Sequence, residues 1–529
     1  MRYLLLSWLL LGNIYVAQAQ TTPTTKRPNI IFIMSDDHAA TAISAYDQTL
    51  IKTPNIDRLA KEGILFRNSF VTNSLCSPSR AVMLSGKFSH LTGSRDNQYA
   101  MAFDTTITTF PMRLQKAGYQ TALIGKWHLV TRPQGFQYWN ILPDQGSYYN
   151  PEFIEMGQHR TIPGYVTNIT MDLAMQWLNQ ADKTQPFCLL IHNKAPHRNF
   201  MPDTSLLNEC KDDLPLPATL YDNYDQRGQA ARQQMMTISH HLYPGIDLKY
   251  GLRDTAGAKR VGGEWNRMTP AQRNKLLAFY AAEDDKVDTL RMSPQQRTAW
   301  RYQRYIKDYL RCIRSVDNNI GRLMAYLQQQ HLMDNTIIIY TADQGFYLGE
   351  HGWFDKRFMY EQSLRNPLII RYPPMIKAGT ESRAMVQNID YAQTLLQLAG
   401  VKAPADMQGA SLVPLFNGHS PTQWRQAVYY HYYEYPGYHA VKRHYGIRTA
   451  RYKLIRYYYD VNEWELFDLQ KDPQELHNVF QDPAYSKIRK ELTAQLTRLQ
   501  AQYKDSPGLA QQILEKDKQQ MNEKNGNKY

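Results

Sequence analysis

Cys76 is the residue of this chain best placed for unusual chemistry. It opens the run Cys76-Ser-Pro-Ser-Arg80, in which Pro78 fits the first turn of a helix. A side chain at that position faces backbone N–H groups, which favour an anion. Two interpretations follow from the residues alone: a cysteine nucleophile, or a small buried residue in a turn.

Acidic and amide side chains follow two predicted strands. The run Asn29-Ile-Ile-Phe-Ile-Met-Ser35 ends in Asp36-Asp37, and Asn335-Thr-Ile-Ile-Ile-Tyr-Thr341 leads to Asp343-Gln344. These residues offer hard oxygen ligands without thiolate or imidazole, which suits Ca²⁺ and, less well, Mg²⁺. A single Asp pair at a strand end is more often a helix cap or a solvated turn, and the second pair is what favours a metal site.

Two further strands lead to cations and histidines. Thr121-Ala-Leu-Ile-Gly125 precedes Lys126-Trp127-His128, and Pro186-Phe-Cys-Leu-Leu-Ile-His192 leads to His197. A histidine that titrates near neutrality can serve as an acid or a base. Active sites of open α/β sheets form beyond the carboxyl ends of the strands. Four strands are therefore predicted to bring titratable groups to one edge of a sheet.

The alternation of short apolar runs with helical patterns predicts the elements that position these groups. Helix candidates lie at 55–62, 109–116, 169–179 and about 299–330. The pattern predicts an α/β fold with a large mixed, mostly parallel sheet between layers of helices. From about Thr422 the composition becomes aromatic, and Tyr445-Gly-Ile-Arg448 and Tyr452-Lys-Leu-Ile-Arg456 are typical of antiparallel strands. We expect a smaller C-terminal α+β subdomain there, closed by a helix over about 486–504.

The predicted domain organisation has five parts. They are a signal peptide (1–19), a polar lead-in (20–27), a catalytic domain (28–420), a C-terminal subdomain (421–505) and a polar tail (506–529), whose composition favours disorder. Arg2, the apolar core Leu4 to Leu11 and the small-residue site Ala17-Gln-Ala19 indicate the signal peptide. The apolar core is too short to span a bilayer. We therefore expect an exported protein, periplasmic or secreted, without a membrane span.

The amino-acid composition limits the classes of ligand and metal site that this chain is expected to have. The chain has four Cys and no CxxC pair, which argues against a disulfide framework and a Cys-type zinc site. The net charge of +13 suits an anionic partner. The dispersed basic residues and the absence of a nucleic-acid-binding motif argue against nucleic acid. A sulfated or phosphorylated substrate remains, with solubility alone as the alternative explanation.

The motifs together resemble one enzyme family. Cys76-x-Pro78-Ser79-Arg80-x-x-x-x-Ser85-Gly86 is similar to the signature of the formylglycine-dependent sulfatases of the alkaline phosphatase superfamily. Gly125-Lys126-Trp127-His128 resembles the second signature of that family. The remaining matches occur in family order: Asp36-Asp37, Pro196-His197, Asp343-Gln344 and Lys356. The family more often has Asn where Gln344 stands, but Gln presents the same amide oxygen. The resemblance covers about residues 28–475 and implies a hydrolase of sulfate esters.

The resemblance also implies a role for each matched residue. Cys76 would be oxidised after translation to formylglycine by a separate maturation enzyme, and the hydrated aldehyde would be the nucleophile. Residue 76 and four oxygen ligands would hold the cation: Asp36, Asp37, Asp343 and Gln344. Lys126 and Lys356 would neutralise sulfate oxygens, and Arg80 would hold the formylglycine hydroxyl. His197 would protonate the leaving alcohol, and His128 would take a proton from the second hydroxyl of the diol.

The substrate is predicted from two other segments. Residues 346–361 and 439–448 look like the branch that contains N-acetylglucosamine-6-sulfatases and bacterial mucin- or heparan-desulfating enzymes. The sugar contacts predicted there are Asp355, Arg357, His439 and His444. The function predicted is hydrolysis of the 6-O-sulfate of N-acetylglucosamine in sulfated host glycans. The alternatives are a phosphonate or phosphate monoester hydrolase, a broad arylsulfatase, and a non-catalytic binder of sulfated glycans.

Overall fold

The computed structural model describes residues 27–252 and 263–526. The predicted signal peptide and almost all of the polar lead-in lie outside these ranges, and the predicted boundaries at 420 and 505 stay predictions. The strands are β1 (Asn29–Ser35), β2 (Ile64–Phe66), β3 (Ser69–Phe70), β4 (Gln120–Lys126), β5 (Tyr138–Leu142), β6 (Glu152–Glu155), β7 (Gln158–Thr161), β8 (Phe187–Asn193), β9 (Thr336–Ala342), β10 (Tyr347–Leu348), β11 (Phe354–Asp355), β12 (Leu368–Arg371), β13 (Thr380–Ser382), β14 (Val386–Gln387), β15 (Ala427–Tyr432), β16 (His444–Thr449), β17 (Tyr452–Tyr459) and β18 (Val461–Asp468).

The helices of the described ranges are α1 (Pro54–Lys61), α2 (Cys76–Ser85), α3 (Ser89–Thr92), α4 (Phe110–Lys116), α5 (Val166–Gln180), α6 (Gln229–Gln233), α7 (Ile238–His241), α8 (Gly263–Arg267), α9 (Pro270–Asp284), α10 (Pro294–Gln329), α11 (Glu361–Leu364), α12 (Tyr391–Leu398), α13 (Ser486–Gln502) and α14 (Pro507–Gly526). Five of them, α1, α4, α5, α10 and α13, lie within a few residues of their predicted bounds, whereas others, such as α9, are not predicted. The long α10 begins at a capping box, in which the Ser293 hydroxyl accepts from the N–H of Gln296 and Pro294 occupies the first turn.

A large central sheet contains the strands that the predicted site residues follow. Within the described ranges it has ten strands in the order β13-β2-β12-β9-β1-β8-β4-β5-β6-β7. The strands β9, β1, β8, β4 and β5 are parallel to one another, and the antiparallel pairs lie towards the edges. The predicted mixed, mostly parallel sheet is confirmed.

Helices cover both faces of this sheet. Successive side chains of a strand point to opposite faces, and in β1 Ile31 and Ile33 join one apolar core while Ile30 and Phe32 join the other. The first core is completed by α5 and α10, and the second by α2, α4 and α12. Because both faces are covered, β1, β8 and β9 are buried along their whole length, as expected of strands in a parallel sheet.

The predicted C-terminal subdomain is also observed. Strands β15 to β18 form an antiparallel sheet in sequence order, and α13 packs against it through Leu492 and Leu496. Among the described residues no helix combines the length and apolarity needed to cross a membrane.

The expectation of a disordered tail is wrong. Residues 507–526 form α14, and its Ala510 and Leu514 are buried. Asp517, on the same helix, accepts hydrogen bonds from Arg95 and Arg443. The composition of the tail is polar, but composition does not reveal that one of its charges has partners far away in the sequence.

Candidate active site

The carboxyl ends of four parallel strands meet at one edge of the central sheet, as predicted. Asp36 follows β1, Lys126 ends β4, the segment leading to His197 follows β8, and Asp343 follows β9. Strand register brings these ends level, because Ser35 lies beside both Asn193 and Ala342. The side chains predicted to be catalytic therefore lie close together although they are far apart in sequence.

Cys76 lies at this edge, at the first position of α2. Its side chain is fully buried, and the backbone of Leu75 before it is extended. Burial raises the pKa of the Cys76 thiol, and the nearby charge of Asp36 raises it further. Burial therefore disfavours a thiolate at this position.

Three carboxylates form a compact cluster beside Cys76. Ligand oxygens of Asp36, Asp37 and Asp343 all lie within 4.8 Å of one another, and all three side chains are fully buried. Burial raises the pKa of Asp37 to about 6, and burial with the charge of Asp36 raises that of Asp343 to about 7. Burial opposes the charge of Asp36 as well, but Lys126, His197 and Arg80 together outweigh this effect and hold the pKa of Asp36 well below its usual range.

The donor set fits an oxygen-preferring cation. Within the described part of the chain, Asp36 Oδ1 and Gln344 Oε1 are buried and have no hydrogen-bond partner. Gln344 Nε2 donates to Asp37 and lies 3.9 Å from Cys76 Sγ. Carboxylate and amide oxygens are what Ca²⁺ and Mg²⁺ prefer, and buried orphan oxygens call for a partner of positive charge.

Three cations surround the cluster. Lys126 contacts Asp36, and Lys356 Nζ lies 2.5 Å from Asp37 Oδ1 and 3.6 Å from Cys76 Sγ. The Arg80 guanidinium donates to Asp343 Oδ2 at 2.8 Å and, through Nη1, to the carbonyl of Lys126 at 2.8 Å. Residue 76 is therefore enclosed by two ammonium groups and by an arginine that fixes one of the acids.

The two predicted catalytic histidines face the cluster from different sides. His197 Nδ1 is 2.6 Å from the carbonyl of Arg198 and therefore donates to it, which leaves Nε2 pointing at Asp37 Oδ2, 3.7 Å away. His128 Nε2 is 2.9 Å from Gln145 Nε2. Burial lowers the pKa of His197 well below its usual range and that of His128 to about 4, and the charge of Lys126 adds to both shifts.

Gln145 is a site residue that the sequence analysis missed. It contacts both the Lys126 ammonium and His128, and its backbone carbonyl accepts from Lys194 Nζ at 3.2 Å. Its only sequence signal is the turn Asp144-Gln-Gly146, which any surface loop could carry. The position of Gln145 depends on β5, which lies next to β4 in the sheet.

Three of the four predicted sugar contacts lie together beside Lys356. Asp355 Oδ1 is 3.2 Å from Arg357 Nε, and Asp355 Oδ2 is 3.2 Å from His439 Nε2. Burial opposes the charge of Asp355, but Arg357 and His439 outweigh it and hold the pKa well below the usual range. All three residues have positive φ angles of 63–94°, which are uncommon outside glycine and occur where a local function requires them.

His444, the fourth predicted sugar contact, does not belong to this group. Its Nδ1 is 2.7 Å from the carbonyl of Lys442, and its Nε2 accepts from the N–H of Met359 at 3.1 Å. The ring is fully buried and stacks on Tyr430 and Tyr432. Both nitrogens are used by the backbone, so His444 has a structural role and no atom left for a sugar.

The loop of residues 94–101, called the active-site loop below, contacts both halves of the site. The N–H of Ser77 donates to Asn97 Oδ1 at 3.1 Å, which fixes the turn that carries Cys76. The N–H of Asn97 donates to Glu434 at 2.8 Å, and Glu434 pairs with Arg357. The active-site loop therefore contacts both the turn that carries Cys76 and the group of predicted sugar contacts.

Helix α14 holds the active-site loop from outside. Arg95 Nη2 donates to Asp517 Oδ1 at 2.7 Å, and Arg443 Nη1 donates to Asp517 Oδ2 at 2.9 Å. Within the loop, Asp96 Oδ1 accepts from three successive N–H groups, those of residues 98, 99 and 100. Asp96 therefore stabilises the turn within the loop, and Asp517 holds the loop against α14.

Comparison with known proteins gives a consistent picture. A family model described as "Sulfatase" matches residues 28–401, and one described as "N-sulphoglucosamine sulphohydrolase, C-terminal" matches 349–502. The chain is 51% identical, over 91% of its length and 88% of the relative, to an N-acetylglucosamine-6-O-sulfatase of Bacteroides thetaiotaomicron. It is 26% identical to arylsulfatase K of Mus musculus, over 87% of this chain and 78% of that one.

Solved structures agree with the sequence comparison. One, of a protein in complex with its substrate D-glucosamine-2-N,6-O-disulfate, superimposes with a TM-score of 0.87 at 49% identity, over 91% of this chain and 99% of that one. A phosphonate monoester hydrolase of Agrobacterium radiobacter superimposes with a TM-score of 0.64 at 21% identity, over 90% and 96%. The second likeness concerns the fold alone.

Proposed function

The chain belongs to the sulfatase family and hydrolyses sulfate esters, and from this premise we propose that its substrate is the 6-O-sulfate of N-acetylglucosamine in glycans. The 51% identity to an N-acetylglucosamine-6-O-sulfatase over nearly the whole chain supports this substrate. The single structural observation that carries it is the position of Asp355, Arg357 and His439 directly beside Lys356 and Cys76.

We infer that Cys76 acts as formylglycine and not as a thiol. Formylglycine supplies a hydrated aldehyde, whose hydroxyl can attack sulfur and whose second hydroxyl permits release of sulfate. The support is the match of residues 28–401, which include Cys76, to the sulfatase family model, and the full burial of Cys76 beside Asp36 and Lys356. A maturation enzyme that recognises the segment around Cys76 is part of the proposal.

Asp36, Asp37, Asp343 and Gln344 would hold a divalent cation, for which we propose Ca²⁺. Such an ion supplies positive charge that polarises a sulfate oxygen and favours deprotonation of a nearby hydroxyl. The proposal is supported by the cluster of three carboxylates and by the orphan oxygens of Asp36 and Gln344. The longer side chain of Gln344 reaches Asp37 without disturbing this arrangement.

The charged residues of this chain would bind and orient the sulfate group. Lys356 Nζ lies 3.6 Å from Cys76 Sγ and Lys126 contacts Asp36, so that both carry the charge that sulfate oxygens require. Arg80 fixes Asp343 and the end of β4, so that the acid cluster and Lys126 keep their spacing. Positioning and charge neutralisation are the main needs of such a transfer.

The two histidines would transfer protons, with His197 as the donor and His128 as the acceptor. His197 donates through Nδ1 to a carbonyl, so Nε2 is the atom able to protonate the leaving alcohol. Its pKa is lowered by burial and by Lys126, and the negative charge of a bound sulfate ester would oppose the repulsion by Lys126. His128, with its pKa lowered to about 4, is neutral at neutral pH and suited to accept a proton.

The charged Asp355 carboxylate would accept hydrogen bonds from sugar hydroxyls. Arg357 and His439 orient it, and Glu434 holds Arg357 from behind. We further propose that the natural substrate is a sulfated host glycan of the mucin or heparan type, and that the protein is exported to the periplasm or the medium. The basic surface, with a net charge of +13, supports an anionic glycan.

The test couples two measurements on the same preparation. Mass spectrometry of the peptide containing residue 76 is expected to show formylglycine, while a matched Cys210 peptide keeps its thiol. Desulfation is then measured on 6-O-sulfated N-acetylglucosamine, 6-O-sulfated galactose and the corresponding 6-phosphate. We expect a clear preference for sulfated N-acetylglucosamine. Unmodified Cys76 in fully active enzyme would refute the formylglycine mechanism, and preference for the galactose sulfate or the phosphate would refute the substrate.

A further inference from the structure

Exposed apolar side chains gather at the mouth of the active site. In the described part of the chain nine large hydrophobic side chains are exposed, and three of them lie around His439 and Arg198. They are Met235, Tyr243 and Tyr438, with 53%, 60% and 65% of their surface exposed. A single exposed apolar residue needs no explanation, but a group beside a polar site marks a binding surface.

Two of these residues are attached to His439. The N–H of Met235 donates to the His439 carbonyl at 2.6 Å, and His439 Nδ1 is 2.6 Å from the Met235 carbonyl. The Tyr438 ring lies 6.4 Å from the His439 ring. Met235 and Tyr438 are therefore fixed relative to the imidazole whose other nitrogen faces Asp355.

Tyr243 is attached through Arg198, the residue that follows His197 in the sequence. The Arg198 guanidinium lies 5.2 Å from the Tyr243 ring and 5.2 Å from the Phe354 ring. Asp247 holds this arrangement, because it accepts from Arg198 Nε at 2.8 Å and from the N–H of Tyr243 at 2.7 Å.

Phe354 joins the two sides. Its ring lies 5.3 Å from that of His439 and also contacts Arg198. The exposed apolar residues thus border the space between His197 and the pair of His439 and Asp355. A sugar held by Asp355, with its leaving oxygen towards His197, would direct its next residue over this border.

The chemistry of the border fits an uncharged pyranose. The charge of Arg198 is neutralised by Asp247, so the side chains that form the border offer aromatic rings and a thioether. Tyrosine presents a rigid apolar face with a polar tip, which suits a ring with C–H groups on its face and hydroxyls at its edge. Sites of this kind combine apolar contact with a few polar groups that fix orientation.

We propose that Met235, Tyr243 and Tyr438 form a subsite for the pyranose residue linked to the sulfated sugar. The inference rests on the proposed function and extends it: the enzyme recognises the end of an oligosaccharide and not the sulfated monosaccharide alone. Occupancy of the subsite adds affinity without touching the reacting atoms, so its effect falls on KM.

The test compares two substrates that carry the same 6-O-sulfated N-acetylglucosamine, one free and one β-linked to a second pyranose. The variants are Tyr243→Ala, Tyr438→Ala and the double variant, and Tyr221→Ala serves as a matched exposed tyrosine elsewhere on the surface. We expect kcat/KM for the disaccharide to fall about three- to tenfold for each ring removed, through KM. For the monosaccharide, and for Tyr221→Ala on both substrates, we expect changes of less than twofold.

Two results would overturn the subsite: equal losses on both substrates, or an unchanged disaccharide KM in the double variant. Failure of the proposed function has a different signature, because the wild-type protein would then desulfate neither substrate. Calorimetric binding of the disaccharide to Cys76→Ala protein, with and without the two tyrosines, tests the subsite independently of turnover. Equal affinities of these two proteins would refute it.

Discussion

Replacing Asp517 by Asn tests whether the C-terminal helix positions the active-site loop. Asn has nearly the same size as Asp but removes the charge that Arg95 and Arg443 share. Both guanidinium groups are buried, with Arg443 fully so. The change therefore leaves two buried cations with one counter-charge fewer.

The magnitude follows from that geometry. Removing one partner of a buried ion pair destabilises by about 3–5 kcal/mol. Arg95 belongs to the active-site loop, so we expect this free energy to be felt as local opening of residues 94–101, and the population of the open loop to rise by about 100- to 4,000-fold. Opening releases the bond from Asn97 to the N–H of Ser77, and such misplacement of reacting groups lowers kcat/KM by at least about tenfold.

The assay combines kinetics with amide hydrogen exchange. We expect Asp517→Asn to lower kcat/KM on the sulfated sugar and to speed exchange in peptides covering 94–101, while exchange in the central strands stays unchanged. Glu515→Gln is the matched control, because Glu515 is an exposed acid on the same helix and should leave both quantities within twofold. Faster exchange in α14 with wild-type kinetics would refute the coupling, because the helix would then move without consequence for the site.

Three further predictions concern the catalytic centre. Cys76→Ser should release at most one desulfated sugar per molecule and retain the sulfate as a serine ester, because that ester has no second hydroxyl to expel the group; sustained release of sulfate in a burst assay would contradict this. Arg80→Ala should lower kcat/KM by about 2–4 kcal/mol of transition-state stabilisation, that is about 30- to 1000-fold, and a loss below threefold would show that Arg80 does not organise the site. Burial raises the pKa of Asp37 to about 6 and that of Asp343 to about 7, so both bind protons more readily in the folded apoprotein than when unfolded. Their contribution to apoprotein stability is thus greater at pH 5 than at pH 8, whereas Ca²⁺ affinity measured by calorimetry should fall about tenfold per pH unit as each carboxylate protonates; an affinity independent of pH between 8 and 5 would exclude these two ligands.

The sequence predicts which side chains meet at the edge of the sheet because strands impose strong local rules. Asp36, Lys126 and Asp343 each stand at the end of a run of buried, mostly apolar residues, and parallel strands place such ends at one edge. The five predicted helices lie within a few residues of their expected bounds for a similar reason, because their apolar spacing must match the sheet face that they cover.

The remaining part of the site and the order of the tail depend on contacts between residues that are distant in sequence, which local patterns do not encode. Gln145 reaches His128 and Lys126 only because β5 lies beside β4. His439 and His444 occur five positions apart with the same chemistry, but one faces Asp355 and the other is bonded twice to backbone. The composition of the tail does not predict its helix, because Asp517 has its partners, Arg95 and Arg443, outside its own segment.

The anchoring of the active-site loop by α14 has a consequence for the timing of synthesis. Arg95 and Asp517 are separated by 422 positions, and at about 5–20 residues per second the interval between their translation is about 20–80 s. During that interval the turn carrying Cys76 is already made but its loop still lacks its outer anchor. The maturation enzyme proposed for Cys76 would thus have tens of seconds of access before the last helix closes the loop. A chain that ends before Asp517 would never close it.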